Sequence, residues 1–510
     1  MVPQTPDSLD VLCARALARE ASLPAIEFQG RWIHWGEMRR VADRLASLVA
    51  ASGAGPRASV ALVARNRPSA IAALLGLVAM RRTVRMVYSY QSAAALARNV
   101  GQLAPAVIVA AREDYSEELL AVLRTGATAA IALEEMSASA IAGLEQSRCD
   151  TGPDCPSEPQ IEILTSGTTG PPKRFALGFD LIAKHYIGAG SLFAGADSPA
   201  DAPPTLLFMP LGNISGVYTT LPAMLKNQRV TLLEKFTIAA WHEHLLRYRP
   251  EASGLPPAGV QMLLDANIPP ADLACIRRFG TGAAPLDPTV QRAFEERYGI
   301  PILLSYGATE FGGPVAAMTS ELHTEWGTRK FGSVGRALPG ARLRVVDPGT
   351  GAELPAGQEG LLEVVSPRIG PAWIRTSDVG VLDQDGFLFL HGRADGAILR
   401  GGFKLLPETI ERALLTHPAI SAAAVLGIAD QRLGEVPAAV IQLKPGCAQP
   451  GVSELESHLR SRLYATHIPA AWRFVEDLPR TPSLKVDRRA LLTLFQPDAV
   501  SAGPAPEKMS

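Results

Sequence analysis

The chain has 510 residues, 47% of them apolar and 19% charged, with 49 basic side chains against 50 acidic ones and a formal net charge of -1. That length exceeds what one hydrophobic core organises, so two or more domains are expected in an ordinary globular composition. With no basic block and a balanced charge, nothing supports a nucleic-acid partner or a polyanionic surface.

The first twenty residues carry early acids and no apolar stretch of the secretory kind. Ile71 to Met80 is too short to span a bilayer. Five cysteines (Cys13, Cys149, Cys155, Cys275, Cys447), odd in number and without CxxC spacing, predict a reduced cytoplasmic protein lacking structural disulfides or zinc.

In chain order, apolar residues at helical spacing predict helices over Ser8–Glu20 and Trp35–Ala51, the second through Met38, Val41, Leu45, Leu48 and Val49. Ser59–Val63 reads as a buried strand, Ser69–Met80 as a helix and Ala106–Val109 as a further strand. Thr205–Met209, Val230–Leu233 and Ile302–Ser305 repeat the pattern, so an α/β architecture with parallel strands is expected. From about Gly340 the texture changes. Leu343–Asp347, Gly360–Val365 and Phe387–His391 read as strands joined by Gly/Pro/Asp turns, predicting a smaller β-rich lobe in the form of a distorted barrel. A third segment carries a helix over Pro407–Thr416, strands over Ala422–Gly427 and Ala438–Leu443, and a helix over Val452–Tyr464. The Pro/Ala-rich tail 501–510 is expected to be disordered.

The strand Ile161–Leu164 empties into Thr165-Ser166-Gly167-Thr168-Thr169-Gly170-Pro171-Pro172-Lys173. Such a turn offers bare backbone N–H groups, hydroxyls and a lysine, which together suit a polyphosphate. By composition alone it reads first as a flexible surface loop, and its spacing is not GxxxxGK[ST]. The string itself resembles the signature loop of the adenylate-forming superfamily of acyl-CoA synthetases, peptide-synthetase adenylation domains and luciferases. Five further matches follow in order, and the resemblance covers roughly Ser8 to Leu491.

Gly282-Ala283-Ala284-Pro285 resembles the family's adenine-side segment, where small residues let backbone approach a flat ring. Ser305-Tyr306-Gly307-Ala308-Thr309-Glu310 resembles its YGxTE motif. The resemblance implies that Tyr306 stacks near adenine, Thr309 contacts phosphate and Glu310 holds Mg²⁺, a hard cation that prefers carboxylate oxygen. Thr376-Ser377-Asp378 stands where the family has Thr-Gly-Asp, whose aspartate meets both ribose hydroxyls, and Gly392-Arg393-Ala394-Asp395 places Arg393 at ribose or phosphate and Asp395 at the hinge. Gly402 and Lys404, in Gly401-Gly402-Phe403-Lys404, resemble the segment that meets the pantetheine arm. Finally, Pro479-Arg480-Thr481-Pro482-Ser483-Leu484-Lys485 resembles the family's ending, whose lysine, here Lys485, is catalytic in adenylation.

The resemblance therefore implies an α/β fold with a large N-terminal domain of α/β subdomains plus a β-rich lobe (1–393), a small mobile α+β C-terminal domain (394–497) and a tail (498–510). It implies ATP, Mg²⁺ and coenzyme A, and an AMP-forming acid–thiol ligase that first makes an acyl-adenylate. It leaves a homodimer open, and with it two other readings: a ligase that loads a carrier protein's phosphopantetheine, and a weakened relative that only binds nucleotide or acyl-adenylate. Asn213 stands where most relatives have His, Ser377 replaces a Gly, Leu484 replaces a Gly, and the stretch between Ser366 and Thr376 is short. The acid is expected near Asn213, Gly216, Val217, Gly282, Gly307, Pro314 and Val315, a small apolar wall that suits a fatty, aromatic or alicyclic acid.

Overall fold

A computed structural model describes residues 7–147, 156–165, 173–187, 202–400, 403–430, 432–481 and 484–496. The tail 498–510 expected to be disordered lies outside them. Among the described residues no helix is long and apolar enough to cross a membrane.

The N-terminal half is built on a seven-stranded sheet in the order Ser137–Ala140, Ala129–Glu134, Val107–Ala111, Val60–Ala64, Val84–Tyr88, Gln160–Thr165 and Lys173–Gly178. Its five inner strands run parallel and its two outermost pairs are antiparallel. Strands Val60–Ala64 and Val107–Ala111 are buried along their whole length, which is why they read as unbroken apolar runs. The helices Trp35–Ala51 and Pro68–Ala79 cover one face, with Gly76 lying against Ala42. One charged pair crosses the interior: Arg85, on the strand beside Gln160–Thr165, donates to Glu162 Oε2 at 3.0 Å, and both are almost fully buried. It pins the strand that leads to the Ser/Gly/Thr loop.

A five-stranded sheet follows, ordered Ala252–Gly254, Arg278–Thr281, Ile302–Ala308, Gly313–Ala317 and Arg336–Ala337. Its core is aromatic, with Phe279 packed between Trp241 and Phe294. A smaller four-stranded sheet joins Thr205–Leu207 and Val230–Leu232 to the N-terminal hairpin Pro24–Phe28 and Arg31–His34.

The β-rich lobe is an antiparallel meander of Arg342–Val346, Glu359–Val365, Ile374–Leu382 and Leu388–Arg393. Its hydrogen-bonded order is an open path, so the expected barrel does not form as such; four strands are too few to close on themselves. The last segment carries its own core around Ile410, Leu414, Ile441 and Leu455. There the helices Pro407–Leu415 and Val452–Arg460 accompany a five-stranded sheet whose longest pairing joins the edge strand Ile420–Asp430 to Gly434–Leu443.

Candidate functional site

Thr165 and Lys173 face each other as the last paired residues of the antiparallel pair at the edge of the seven-stranded sheet, so the motif loop is a hairpin connection. Ser166, Gly167, Thr168, Thr169 and Gly170 lie outside the described residues, as does Gly402. Lys404 falls on the short strand Phe403–Leu405, paired with Leu399.

The adenine-side and acid-side candidates converge on one hairpin. Ser305, Tyr306, Gly307 and Ala308 end the strand Ile302–Ala308, Thr309 and Glu310 form the turn after it, and Pro314 and Val315 begin the returning strand. The register shifts between Tyr306 and Gly307, where a Cβ on Gly307 would stand 2.6 Å from the Gly313 carbonyl oxygen. Only glycine allows that approach. Gly282-Ala283-Ala284-Pro285 follows the neighbouring strand, with Ala283 at φ 67°, and a Cβ on Gly282 would meet Ser305 Oγ at 2.5 Å. Asn213 caps the helix Ile214–Leu225, which carries Gly216 and Val217. Gly216 is held by a tight backbone approach, since a Cβ there would fall 2.1 Å from the Pro210 oxygen.

Asp378 joins this hairpin to the β-rich lobe. The Tyr306 hydroxyl donates to Asp378 Oδ2, and Arg393, opposite Asp378 in the strand register, places Nη1 3.6 Å from Oδ1. Burial raises the pKa of Asp378, while Tyr306 and Arg393 pull it down and Asp395 and Glu310 push it up. Burial, then Asp378, pushes the Tyr306 phenol well above its ordinary value, so it stays a donor. Arg393 also forks onto Asp395, at 2.9 Å to Oδ1 and 2.6 Å to Oδ2. Those bonds raise the pKa of Arg393 and lower that of Asp395.

Ser377 closes this arrangement. Its Oγ accepts from Arg393 Nη2 at 2.6 Å and donates to Asp395 Oδ2 at 2.9 Å. Ser377 thus ties Arg393 to Asp395.

Lys485 arrives from the C-terminal segment. It is solvent-exposed, yet protein atoms crowd its ammonium: desolvation and then Arg393 lower its pKa, with Glu310 opposing. The side chain is therefore within electrostatic reach of Glu310 and Arg393, one from each of the two preceding lobes. Its loop turns tightly, with Thr481 N–H donating to Lys485 O at 2.7 Å and Leu484 at φ 61°. Asp265, at the end of the helix Pro257–Asp265, also feels the C-terminal segment: burial raises its pKa, Lys444 and Arg480 lower it and Asp477 raises it.

Glu310 is exposed and makes no hydrogen bond or ion pair among the described residues. Nor, among those residues, do three His, Cys, Asp or Glu side chains gather there around a metal position. A single free carboxylate fits Mg²⁺ of the kind that takes its remaining ligands from water and substrate phosphates.

Sequence reasoning missed Arg368. It sits in the short stretch between Ser366 and Thr376, buried behind Gly312, with its guanidinium on the Phe311 and Pro314 carbonyls. The shortness of that stretch was visible; the burial of its arginine was not.

Comparison with known proteins places these features together. The family model described as AMP-binding enzyme matches residues 13–371, and the AMP-binding enzyme C-terminal domain matches residues 409–485. A sulfoacetate–CoA ligase of Cupriavidus necator is 28% identical, over 96% of this chain and 98% of its own length. A fatty acid–[acyl-carrier-protein] ligase of Streptomyces coeruleorubidus is 25% identical, over 94% and 95%. The ATP-bound structure of MatB from Rhodopseudomonas palustris superposes with a TM-score of 0.78 over 96% of this chain and 99% of that one, at 23% identity.

Proposed function

We infer the reaction from one premise: the chain belongs to the AMP-binding enzyme family. It is an AMP-forming acid–thiol ligase, which activates a carboxylic acid with ATP as the acyl-adenylate and transfers the acyl group to coenzyme A. The observation that carries this reading is the meeting of Tyr306, Glu310, Asp378, Arg393 and Lys485, drawn from three separate sheets or loops.

Asp378, whose pKa burial raises while the Tyr306 hydroxyl and Arg393 oppose that rise, presents carboxylate oxygens to the vicinal hydroxyls of ribose. Adenylation brings a carboxylate to the α-phosphate, so two anions must approach each other. Lys485 supplies positive charge where negative charge develops, and stabilisation of that kind dominates the rate enhancement in most such reactions. Mg²⁺ bound at Glu310 would supply further neutralisation of the phosphates. The backbone of the loop after Thr165, with Lys173 at its far end, is assigned to the departing pyrophosphate, and Thr309 to a phosphate oxygen. Lys404 and Gly402 are assigned to the pantetheine arm. The large domain is assigned to residues 1–393 and the small one to 394–497, with Asp395 as the hinge; the gap between the two family matches is compatible with that division. The acid lies along the hairpin Ile302–Ala317 against Val217 and Val315, both fully buried.

Incubation with Mg-ATP and a panel of carboxylic acids, with and without CoA, tests the reading by mass spectrometry. Acyl-CoA formed only when acid, ATP and CoA are all present is expected. Acyl-AMP without acyl-CoA would move the acceptor to a carrier protein, the acceptor named for the Streptomyces relative. Neither product with any acid would overturn the assignment.

A further inference from the structure

Arg368 is a cation buried without an anion among the described residues. It is 8% exposed. Its Nε donates to Phe311 O at 3.3 Å and its Nη2 to Pro314 O, and among the described residues most of the guanidinium's five donors are left unused. Burial lowers its pKa, and the groups opposing that are the phenols of Tyr218 and Tyr186; no described carboxylate acts on it. His185, next along the chain to Tyr186, is pushed toward its neutral form by burial, Lys184 and Arg368.

Tyr186 is the second anomaly. It is fully buried, edge-on to Tyr218 with ring centroids 4.8 Å apart, and its hydroxyl has no partner among the described residues. Both features lie on the acid side of the site. The Cβ position of Gly313 is 3.4 Å from the Tyr218 ring, and that of Gly312 is 3.3 Å from Arg368 Cβ. Fastening two carbonyls needs only neutral donors, whereas a desolvated charge is costly unless an opposite charge meets it. A buried unpaired hydroxyl beside it points to the same missing acceptor.

We propose that Arg368 and Tyr186 form the far end of the acid site and bind a second oxyanion on the substrate. The enzyme's acid is then two-headed: a carboxylate at the α-phosphate, a short body against Val217 and Val315, and a carboxylate or sulfonate on the guanidinium. The proposal rests on the adenylation reading above and narrows its substrate class.

The test measures acid-dependent ATP–pyrophosphate exchange by the full chain with acids matched in skeleton: succinate and 3-sulfopropionate against butanoate, and adipate against hexanoate. The wild type is expected to favour the two-headed member by about 10–100-fold in kcat/KM, the range for a hydrogen bond to a charged group. Whether carboxylate or sulfonate is preferred identifies the natural second head. Arg368→Gln, which keeps a neutral donor for the Phe311 and Pro314 carbonyls, should abolish that preference with a smaller effect on the monocarboxylates, and Tyr186→Phe should reduce it several-fold with no loss of thermal stability. Exchange supported best by monocarboxylates, or variants that depress both series equally, would overturn the subsite and leave adenylation standing. No exchange with any acid would overturn the adenylation reading and the subsite with it.

Discussion

Ser377 and Asp395, 18 residues apart in the chain, share a 2.9 Å hydrogen bond from the hydroxyl to Asp395 Oδ2, and Arg393 bridges both. Asp395 is the middle residue of the 3₁₀ turn Ala394–Gly396. Helical φ of that kind is what proline adopts, so Asp395→Pro should keep the present lobe arrangement and resist rotation about this point. Thioester formation is expected to fall by more than adenylation, as read by single-turnover kinetics of the two half-reactions. Equal loss of both would remove Asp395 from the hinge role. Ser377→Gly removes the hydroxyl's bonds to Arg393 and Asp395 but leaves their direct fork, and should slow adenylation several-fold, in keeping with about 1 kcal/mol for one net hydrogen bond.

Lys485→Ala is expected to lower adenylation by on the order of 10²–10³-fold, the scale of one preorganised donor at a developing charge. The lowered pKa of Lys485 gives this a pH signature. Because the ammonium is the useful form, kcat/KM for ATP should decline on the alkaline side at a pH below the ordinary lysine value of 10.5. Lys485→Arg should remove that limb, since guanidinium does not titrate there.

Tyr306→Phe leaves Asp378 buried with Arg393 as its remaining cationic neighbour, so its pKa, already raised by burial, should rise further. The ionised carboxylate is the form that accepts from ribose. Affinity for ATP should therefore be lost at higher pH than in the wild type as the solution is acidified. Nucleotide titrations across the acidic range check this, and an unmoved acid limb would separate Tyr306 from Asp378.

Arg85→Met leaves the buried Glu162 with Arg174 Nη1, 4.0 Å away, as a cationic partner and Gln160 as a donor. Removing one member of a buried pair outright costs about 3–5 kcal/mol, far more than an exposed ion pair contributes. Chemical denaturation should show a loss below that range, because Glu162 keeps a second cation. Arg85→Met combined with Glu162→Leu should recover part of it.

Leu484 occupies a left-handed conformation at φ 61°. Non-glycine residues pay roughly 1–2 kcal/mol there. Leu484→Gly should relax the turn that presents Lys485, and thermal melting should rise if the rest of the turn is unchanged.

How much of this was legible in the sequence depends on the kind of information each residue carries. The parallel strands Val60–Ala64 and Val107–Ala111 were readable because burial on both faces leaves an unbroken apolar run. Ile374–Leu382 was not: its residues are mostly half-buried, four polar side chains stand in a row, and its existence is imposed by pairing with two neighbours. Tyr306, Asp378, Arg393 and Lys485 could be named from their motifs, although their meeting required the fold. Ser377 and Leu484 were legible as departures, but only geometry distinguishes a substitution that forms a new tie from one that strains a turn. Arg368 had no local signal at all, since a lone arginine in a loop is ordinarily solvated.

Lys485 and Arg393 belong to different lobes, and each disfavours charge on the other, with Glu310 offsetting this on Lys485 only in part. The lobe position that brings them together is therefore under tension until an anion enters between them. By linkage, a triphosphate favours that position by as much as the position favours the triphosphate. When pyrophosphate departs, most of the neutralising charge leaves with it and Lys485 is again left in the field of Arg393. Repulsion between the two cations would then favour separation of the segments that carry them, with the nucleotide's own charge as the timing signal.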